Sequence, residues 1–163
     1  MSVEIPEGVT TIGNRAFYGC VNLSCVDIPE GVTSIGRYAF TDCASLTDIV
    51  VPNGVTTIGE GTFLRCTNLA HITLPDRLEK IEGSAFQDCS SLISLEIPDD
   101  VTSIGRQVVY NCTNLKSLTI PATVISFDSV WAISNCTNLS DLIFGGTTDQ
   151  WYVLRQKIHF DET

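Results

Sequence analysis

The sequence predicts an α/β repeat solenoid, a stack of strand-rich units that share one continuous core and end in a helical cap. Three observations lead to this prediction: the prolines recur every 23 residues, six of the seven cysteines occupy one repeat position, and the apolar residues between them recur in phase. A period of this length is typical of stacked repeats. The prolines are Pro6, Pro29, Pro52, Pro75, Pro98 and Pro121.

A single unit lacks the apolar surface to fold alone. About eight apolar side chains, each contributing roughly 1.5 to 3 kcal/mol on full burial, do not offset the ordering of 23 residues at about 1 to 2 kcal/mol each. Stacking adds hydrogen bonds between strands and buries the flat faces of each unit. Two such apolar sets are Leu46, Ile49, Val51, Val55, Ile58, Thr62, Phe63, Cys66, and Leu92, Leu95, Ile97, Val101, Ile104, Val108, Val109, Cys112.

Each unit is expected to contain two strands and one turn of helix. The alternating I-x-I segment before each proline predicts a strand, and the proline ends it because it has no N–H to donate. Residues 6–8, 29–31 and 52–54 predict turns. The alternating V-T-x-I segment that follows predicts a second, shorter strand on the opposite side. The A-F-x-x-C segment then favours a single helical or 3₁₀ turn.

The repeated cysteines are expected to be buried free thiols. Stacked strands lie roughly 4.8 Å apart, which leaves parallel inward Cβ atoms further apart than the roughly 3.5 to 4.5 Å that a disulfide prefers. Bridging between units is the less favoured alternative. The six are Cys20, Cys43, Cys66, Cys89, Cys112 and Cys136, and no spacing among them is typical of a zinc site.

Two departures from the repeat carry their own predictions. Glu82 and Asp128 stand where four other units have glycine, so that position does not require a positive φ. The fifth unit has Val109 in place of phenylalanine, and the sixth is one residue longer and carries Trp131. We predict that Trp131 fills the volume that Val109 leaves.

The end of the chain breaks the repeat and predicts a helical cap over the last unit. Thr147 and Gln150 have the spacing of a capping box. Trp151, Leu154 and Ile158 then fall on one helical face, with Trp151 expected to pack into the core. We therefore predict one domain over 1–163, with repeats in 1–145 and the cap in 146–163.

Composition disfavours two classes of partner. The chain carries 19 Asp and Glu against 9 Lys and Arg, a formal net charge of −10. Nucleic acids and anionic membrane surfaces need a basic stripe, which the sequence lacks. With no window near 18 consecutive apolar residues, we expect no membrane insertion. The first residues contain no signal peptide and begin inside a repeat, so we expect a fragment of a longer array.

The repeat resembles the BspA-like class of leucine-rich repeats, which has the same spacing of Leu, Ile, Pro, Val, Ile-Gly, Ala-Phe and Cys. The resemblance covers residues 3 to 144. It implies a curved solenoid with a parallel sheet of strands on the concave side and short second strands on the convex side. It also implies a place on a bacterial or protozoan cell surface, or secretion, and adhesion to macromolecules of a host or neighbouring cell.

The candidate binding residues are the outward side chains of the longer strands, which alternation places in two columns. The columns are Cys25, Asp48, His71, Ser94, Ser117, Asp141, and Asp27, Val50, Thr73, Glu96, Thr119, Ile143. Because their types vary between units, packing does not dictate them. The ligand-binding candidates are Asp27, Asp48, Val50, His71, Thr73, Ser94, Glu96, Ser117, Thr119 and Asp141, whose carboxylates suit a basic or hydroxyl-rich partner; plain solvation is the alternative.

Catalytic chemistry is not expected. Cys25, Asp48 and His71 have the residue types of a hydrolase, but Asp48 lies on the strand between the other two. Cys25 and His71 would then be about 10 Å apart, beyond the reach that a nucleophile needs from its base. A weak metal site at Asp48, His71 and Asp27 is a minor alternative to a solvated ion pair.

We therefore predict a non-enzymatic interaction or adhesion module of a larger surface protein. It would bind a protein or glycoprotein, without a cofactor and without nucleic acid. The main alternative is a structural spacer that presents another domain, and a cysteine-dependent hydrolase is a distant third. The exposed Cys25 and unpaired thiols favour reducing surroundings, whereas the resemblance implies the cell surface.

Overall fold

The computed structural model describes residues 1–129, 131–156 and 158. Within them, strands of three or four residues alternate with strands of two, and one helix follows the last strand. In order they are β1 (Ser2–Glu4), β2 (Thr11–Ile12), β3 (Cys25–Asp27), β4 (Ser34–Ile35), β5 (Asp48–Val50), β6 (Thr57–Ile58), β7 (His71–Thr73), β8 (Lys80–Ile81), β9 (Ser94–Glu96), β10 (Ser103–Ile104), β11 (Ser117–Ile120), β12 (Ser126–Phe127), β13 (Asp141–Phe144) and α1 (Thr148–Arg155). The two strands predicted for each unit are confirmed.

Successive units stack as parallel rungs in register. Val3 pairs with Val26, and Leu95 pairs with Leu118, the same position of the next unit. The long strands form sheets β1-β3, β5-β7 and β9-β11-β13, and the short strands form sheets β2-β4 and β6-β8-β10-β12. Each proline carbonyl accepts a hydrogen bond from the amide three residues later, which confirms the turns predicted after the long strands.

The core runs the length of the stack. Every member of the two apolar sets singled out in the sequence is buried, from Leu46 to Cys66 and from Leu92 to Cys112. Within it, Phe17, Phe40, Phe63 and Phe86 form a column of parallel rings. Neighbouring centroids lie 5.1, 5.5 and 5.7 Å apart, with planes within 7°. Parallel rings with centroids this far apart lie within the range of favourable aromatic pairs.

The cysteine column lies beside the phenylalanine column, and Cys20, Cys43, Cys66, Cys89 and Cys112 are free thiols. Cys43, Cys66, Cys89 and Cys112 are buried, whereas Cys20 and Cys136 are half-buried. Each thiol from the second rung on donates a hydrogen bond to a backbone carbonyl of the preceding rung; the Sγ of Cys89 lies 3.1 Å from the oxygen of Phe63. The prediction of buried free thiols is thus confirmed for the four interior cysteines. Burial raises the pKa of the Cys43 thiol to about 12.

The segments between short and long strands are consecutive turns, not the predicted helical turn. Alternate backbone amides in these segments donate to two different sets of carbonyls. The amides of Ala16 and Tyr18 donate to the carbonyl three residues earlier in the same rung, whereas the amides of Arg15 and Phe17 donate to carbonyls of the next rung. In this segment, each of the first five rungs has two residues in the left-handed region, and the sixth has one, Asn135, among the described residues. One column is Arg15, Tyr38, Gly61, Ser84, Gln107, and the other is Gly19, Asp42, Arg65, Asp88, Asn111, Asn135.

The position shared by glycine with Glu82 and Asp128 does not have a positive φ, as predicted. Glycine is favoured there by close approach of the preceding rung. A Cβ at Gly36 or Gly105 would collide with the backbone of Asn14 or Gly83. At Glu82 the side chain is accommodated and accepts a hydrogen bond from the amide of Glu60 at 3.2 Å.

The prediction for Trp131 is wrong. Its side chain is 48% exposed, and the space beside Val109 is taken by Ile133, which is 4% exposed. The extra residue of the sixth unit is accommodated before Ala132. The carbonyl of Ala132 accepts a hydrogen bond from the amide of Val109, just as the carbonyl of Val108 accepts one from the amide of Phe86 in the preceding pair of rungs. Register resumes at Ala132, so Ile133 lies in the phenylalanine column and Trp131 lies outside the core.

The chain then forms helix α1, which opens with the predicted capping box. The amide of Gln150 donates to Thr147 Oγ1 at 3.3 Å, and the amide of Thr147 donates to Gln150 Oε1 at 2.8 Å. Leu154 and Ile158 are buried in the core cluster, and half-buried Trp151 packs on Phe144 with centroids 5.5 Å apart. Of the predicted cap, residues 157 and 159–163 lie outside the described residues. In the described part of the chain, no helix has the length and apolar character needed to cross a bilayer.

Candidate binding face

The outward side chains of β1, β3, β5, β7, β9, β11 and β13 form one surface, here called the strand face. Alternation turns the middle residue of each long strand inward and its flanking residues outward. Of the ten candidates, Ser117 and Thr119 are half-buried and the rest are exposed: Asp27, Asp48, Val50, His71, Thr73, Ser94, Glu96 and Asp141. The register brings Asp48 beside His71, Val50 beside Thr73, and Glu96 beside Thr119.

The register does not assemble a catalytic triad from Cys25, Asp48 and His71. β5 pairs with β7 and packs beside β3, so Asp48 lies on the strand between the other two residues. At one strand spacing per step, Cys25 and His71 are about 10 Å apart. No group of three or more His, Cys, Asp or Glu that could hold a metal ion occurs among the described residues.

The ion pairs of the described residues lie on the turns and short strands and not on the strand face. Arg65 binds Asp42 through two hydrogen bonds of 2.6 and 2.7 Å, and this contact lowers the pKa of the Asp42 carboxyl. The others are Arg37–Glu82, Lys80–Glu82 and Arg106–Glu60. In the described part of the chain, Asp27, Asp48 and Glu96 make no salt bridge, so their carboxylates are solvated and available to a partner.

The strand face opens into a cleft between β7 and β9. These two strands belong to different sheets, and between them lies a cavity of about 500 Å³. Three candidate residues line it, namely Thr73, Glu96 and Thr119. The opening also exposes part of Ile72, the inward residue of β7, which is only half-buried although its counterparts Ile49 and Leu95 are buried.

The cleft combines an apolar wall with carboxylates at its mouth. Ile72, Leu74 and Ile97 contribute the apolar wall. Asp76 and Asp99, from the turns after β7 and β9, line it together with Glu96, and all three carboxylates are exposed. This arrangement accommodates a long side chain with an apolar stem and a cationic head, because the stem packs on the wall while the head remains near solvent and the carboxylates.

Sequence reasoning found the polar members of the cleft on the strands but missed Asp76 and Asp99, which lie on the turns after β7 and β9. It also missed the opening itself. The one signal available was Leu74, because the five other rungs have a β-branched residue at that position: Ile5, Ile28, Val51, Ile97 and Ile120.

A family model described as "BspA type Leucine rich repeat region" matches the chain in six copies, over residues 1–105 and 34–152. No catalytic family is indicated. No curated protein sequence shows significant similarity to the chain.

Several solved structures of bacterial leucine-rich repeat proteins are similar to this fold. The T. pallidum leucine-rich repeat protein TpLRR is 31% identical, with a TM-score of 0.76 over 87% of this chain and 68% of its own. A Bacteroides ovatus leucine-rich repeat protein is 30% identical, with a TM-score of 0.79 over 89% of this chain. The pneumococcal vaccine antigen PcpA is 27% identical, with a TM-score of 0.65 over 75% of this chain. This chain spans 37% of the B. ovatus chain and 30% of PcpA.

Proposed function

Because this chain belongs to the BspA-type leucine-rich repeat family, we propose that it is a non-enzymatic interaction module that binds a protein or glycoprotein through the strand face. The cleft between β7 and β9 is the observation that carries this proposal. It is a cavity of about 500 Å³ in the strand face, lined by residues from β7, β9 and β11 and from the turns after β7 and β9. Binding sites are typically concave, with an apolar wall and a few convergent polar groups.

The chemistry of the cleft favours a basic side chain of the partner. A lysine or arginine would place its methylene stem on Leu74 and Ile97 and its cationic head near Glu96, Asp76 and Asp99. Thr73 and Thr119 add hydroxyl groups that suit a polar or glycosylated partner. The formal net charge of −10 would also speed the approach of a basic surface.

The remaining candidates would extend contact along the same face. Asp48 and His71 lie side by side on β5 and β7, one rung before the cleft, and Val50 is 60% exposed beside Thr73. Across the cleft, Ser94 and Ser117 continue the first column toward Asp141. A partner anchored in the cleft would therefore meet acidic groups on one side and hydroxyl groups on the other.

The place of action in this proposal is the cell surface or the exterior of the cell. The family match and the likeness to a vaccine antigen support that location. One domain over 1–163, with repeats in 1–145 and a cap in 146–163, would be part of a larger surface protein.

The test is a charge reversal in the cleft. Glu96→Lys and Asp48→Lys would be compared with the unchanged protein for binding to a panel of immobilised extracellular glycoproteins. Because Glu96→Lys places a cation where the partner's cation would bind, we expect it to weaken binding at least about tenfold, and Asp48→Lys, one rung away from the cleft, to weaken it less. Binding by the unchanged protein should also fall with rising salt.

Glu79→Lys is the matched control because it changes the charge by the same amount as Glu96→Lys. Glu79 is exposed and lies before the short strand β8, away from the strand face. It should leave affinity within about twofold of the unchanged protein. Equal losses in Glu79→Lys and Glu96→Lys would show that only net charge matters and would contradict the cleft. Absence of affinity for every glycoprotein would favour a structural spacer.

A further inference from the structure

A second cavity lies away from the strand face, where the turns of the fifth and sixth rungs meet. Its volume is about 510 Å³, and it is lined by Gln107, Tyr110, Trp131, Ser134 and Asn135. We propose that this cavity binds a neutral saccharide, stacked on the aromatic rings and hydrogen-bonded by the amide and hydroxyl side chains. The site is independent of the proposed function because it shares no residue with the strand face.

Two aromatic residues line the cavity, and the equivalent positions are also aromatic in two other rungs, at Tyr18 for Tyr110 and at Tyr38 for Trp131. Trp131 is 48% exposed because the extra residue of the sixth unit shifts it out of the core. Tyr110 is half-buried, and at its equivalent position the sixth rung has the small residue Ser134, which leaves room beside the tyrosine. Aromatic faces carry partial negative charge and attract the polarised C–H groups on one side of a sugar ring.

One polar side chain of the wall, Asn135, is held in place by neighbouring rungs. Asn135 Nδ2 donates to Asn111 Oδ1 at 2.6 Å, and Asn111 Nδ2 donates to Asp88 Oδ1 at 2.6 Å. This chain of bonds across three rungs fixes the Asn135 amide before any ligand binds. Gln107 lies in the left-handed region, with φ of 53°, because of the turn ladder of its rung. Preorganised amides bind the paired hydroxyls of a sugar at little cost in entropy.

The lack of charge selects the class of ligand. None of the five lining residues is ionisable in the neutral range, although the chain carries 28 charged residues, 19 acidic and 9 basic. A charged ligand would find no counter-ion in this wall. A proline-rich peptide also binds aromatic grooves, but it offers only carbonyl acceptors. The side-chain amides of Gln107 and Asn135 and the hydroxyl of Tyr110 match a ring that carries both donors and acceptors.

The two tryptophan indoles provide the assay, since Trp131 and Trp151 are the only tryptophans of the chain. Trp131→Phe assigns the two indole N–H signals in a nitrogen-15 NMR spectrum. N,N′-diacetylchitobiose, cellobiose and lactose are then titrated separately to about 10 mM. We expect at least one sugar to shift the Trp131 signal along a saturable curve while the Trp151 signal remains in place.

Trp131→Ala and Tyr110→Ala should each lower the affinity for that sugar about five- to tenfold, measured by saturation transfer to the ligand. Trp131→Phe keeps an aromatic face and should lose less affinity. Tyr152→Ala is the control, since Tyr152 is an exposed aromatic on α1 outside the cavity. Amide spectra check that each variant is folded.

Failure of all three sugars to move the Trp131 signal would overturn the proposal. An equal loss of affinity in Tyr152→Ala would overturn the location. A shift of the Trp131 signal by decaproline, where no sugar gives one, would assign the cavity to proline-rich segments instead.

Discussion

Phe63 lies at the centre of the phenylalanine column, and its replacement by alanine tests how the rungs cohere. The ring is fully buried and stacks on Phe40 and Phe86, with centroids 5.5 and 5.7 Å away. Removing a buried phenylalanine side chain costs about 3 to 5 kcal/mol. Each stacked pair contributes roughly 0.5 to 1.5 kcal/mol of its own, so we expect Phe63→Ala to reach about 4 to 5 kcal/mol.

Phe17→Ala is the matched comparison at the first rung. Phe17 is half-buried and stacks on one ring, Phe40, at 5.1 Å. Its removal should cost about half as much, roughly 2 kcal/mol. Phe63→Leu keeps most of the volume but loses both stacked pairs, and should cost about 1 to 2 kcal/mol.

Urea unfolding followed by circular dichroism gives the three free energies by linear extrapolation. The slope against urea reports whether each variant still unfolds as one unit, since repeat stacks lose cooperativity when an interior rung is weakened. A cost below about 1 kcal/mol for Phe63→Ala, or one equal to that of Phe17→Ala, would refute the idea that the column couples the rungs.

Three further predictions concern stability. Burial raises the folded-state pKa of the Cys43 thiol from 9.0 to about 12, so the stability that this thiol contributes is fully present below pH 9. As the pH rises from 9 toward 12, the free energy of unfolding should fall by up to about 1.4 kcal/mol per pH unit for each such thiol. Urea unfolding at several pH values should show this loss, which should be smaller in Cys43→Ala, and a flat pH profile would contradict the prediction. Gly61→Ala places a Cβ against the Tyr38 ring at φ of +61° and should cost about 1 kcal/mol or more, whereas Gly13→Ala meets no atom within 4 Å and should be nearly neutral; equal melting temperatures would contradict this. Thr147→Ala breaks the capping box of α1 and should cost about 1 kcal/mol; an unchanged melting temperature would show that the box is dispensable.

Much of the fold could be predicted because one period fixes it. Once Pro29 and Pro52 are known to be equivalent, the register of β3 and β5 and the inward or outward direction of each residue follow from alternation. The left-handed turn column that contains Arg15 could not be predicted in this way. Arg15, Tyr38, Ser84 and Gln107 share no side-chain type that favours a positive φ, because backbone bonds to neighbouring rungs impose that conformation.

The error at Trp131 has a similar origin. Sequence length reveals that the sixth unit holds one extra residue but not where the chain accommodates it. Only the bond from the Val109 amide to the Ala132 carbonyl locates the extra residue before Ala132 and gives Ile133 the core position.

For the candidate site, the outward columns could be predicted because they depend on alternation alone. The cleft could not, since the sequences of β7 and β9 both fit the repeat. Its opening is a property of the folded stack, seen in the separation of β7 and β9 into different sheets and in the half-burial of Ile72. The turn carboxylates Asp76 and Asp99 become part of a site only because that cavity forms beside them.

Hydrogen–deuterium exchange of the chain bound to its tightest glycoprotein from the panel tests the role of the strand face most directly. The expected result is slowed amide exchange in residues 71–76 and 94–99, on either side of the cleft, with the turns at 15–21 and 38–43 unchanged. Protection confined to those turns, with the amides of β7 and β9 unaffected, would contradict binding through the strand face.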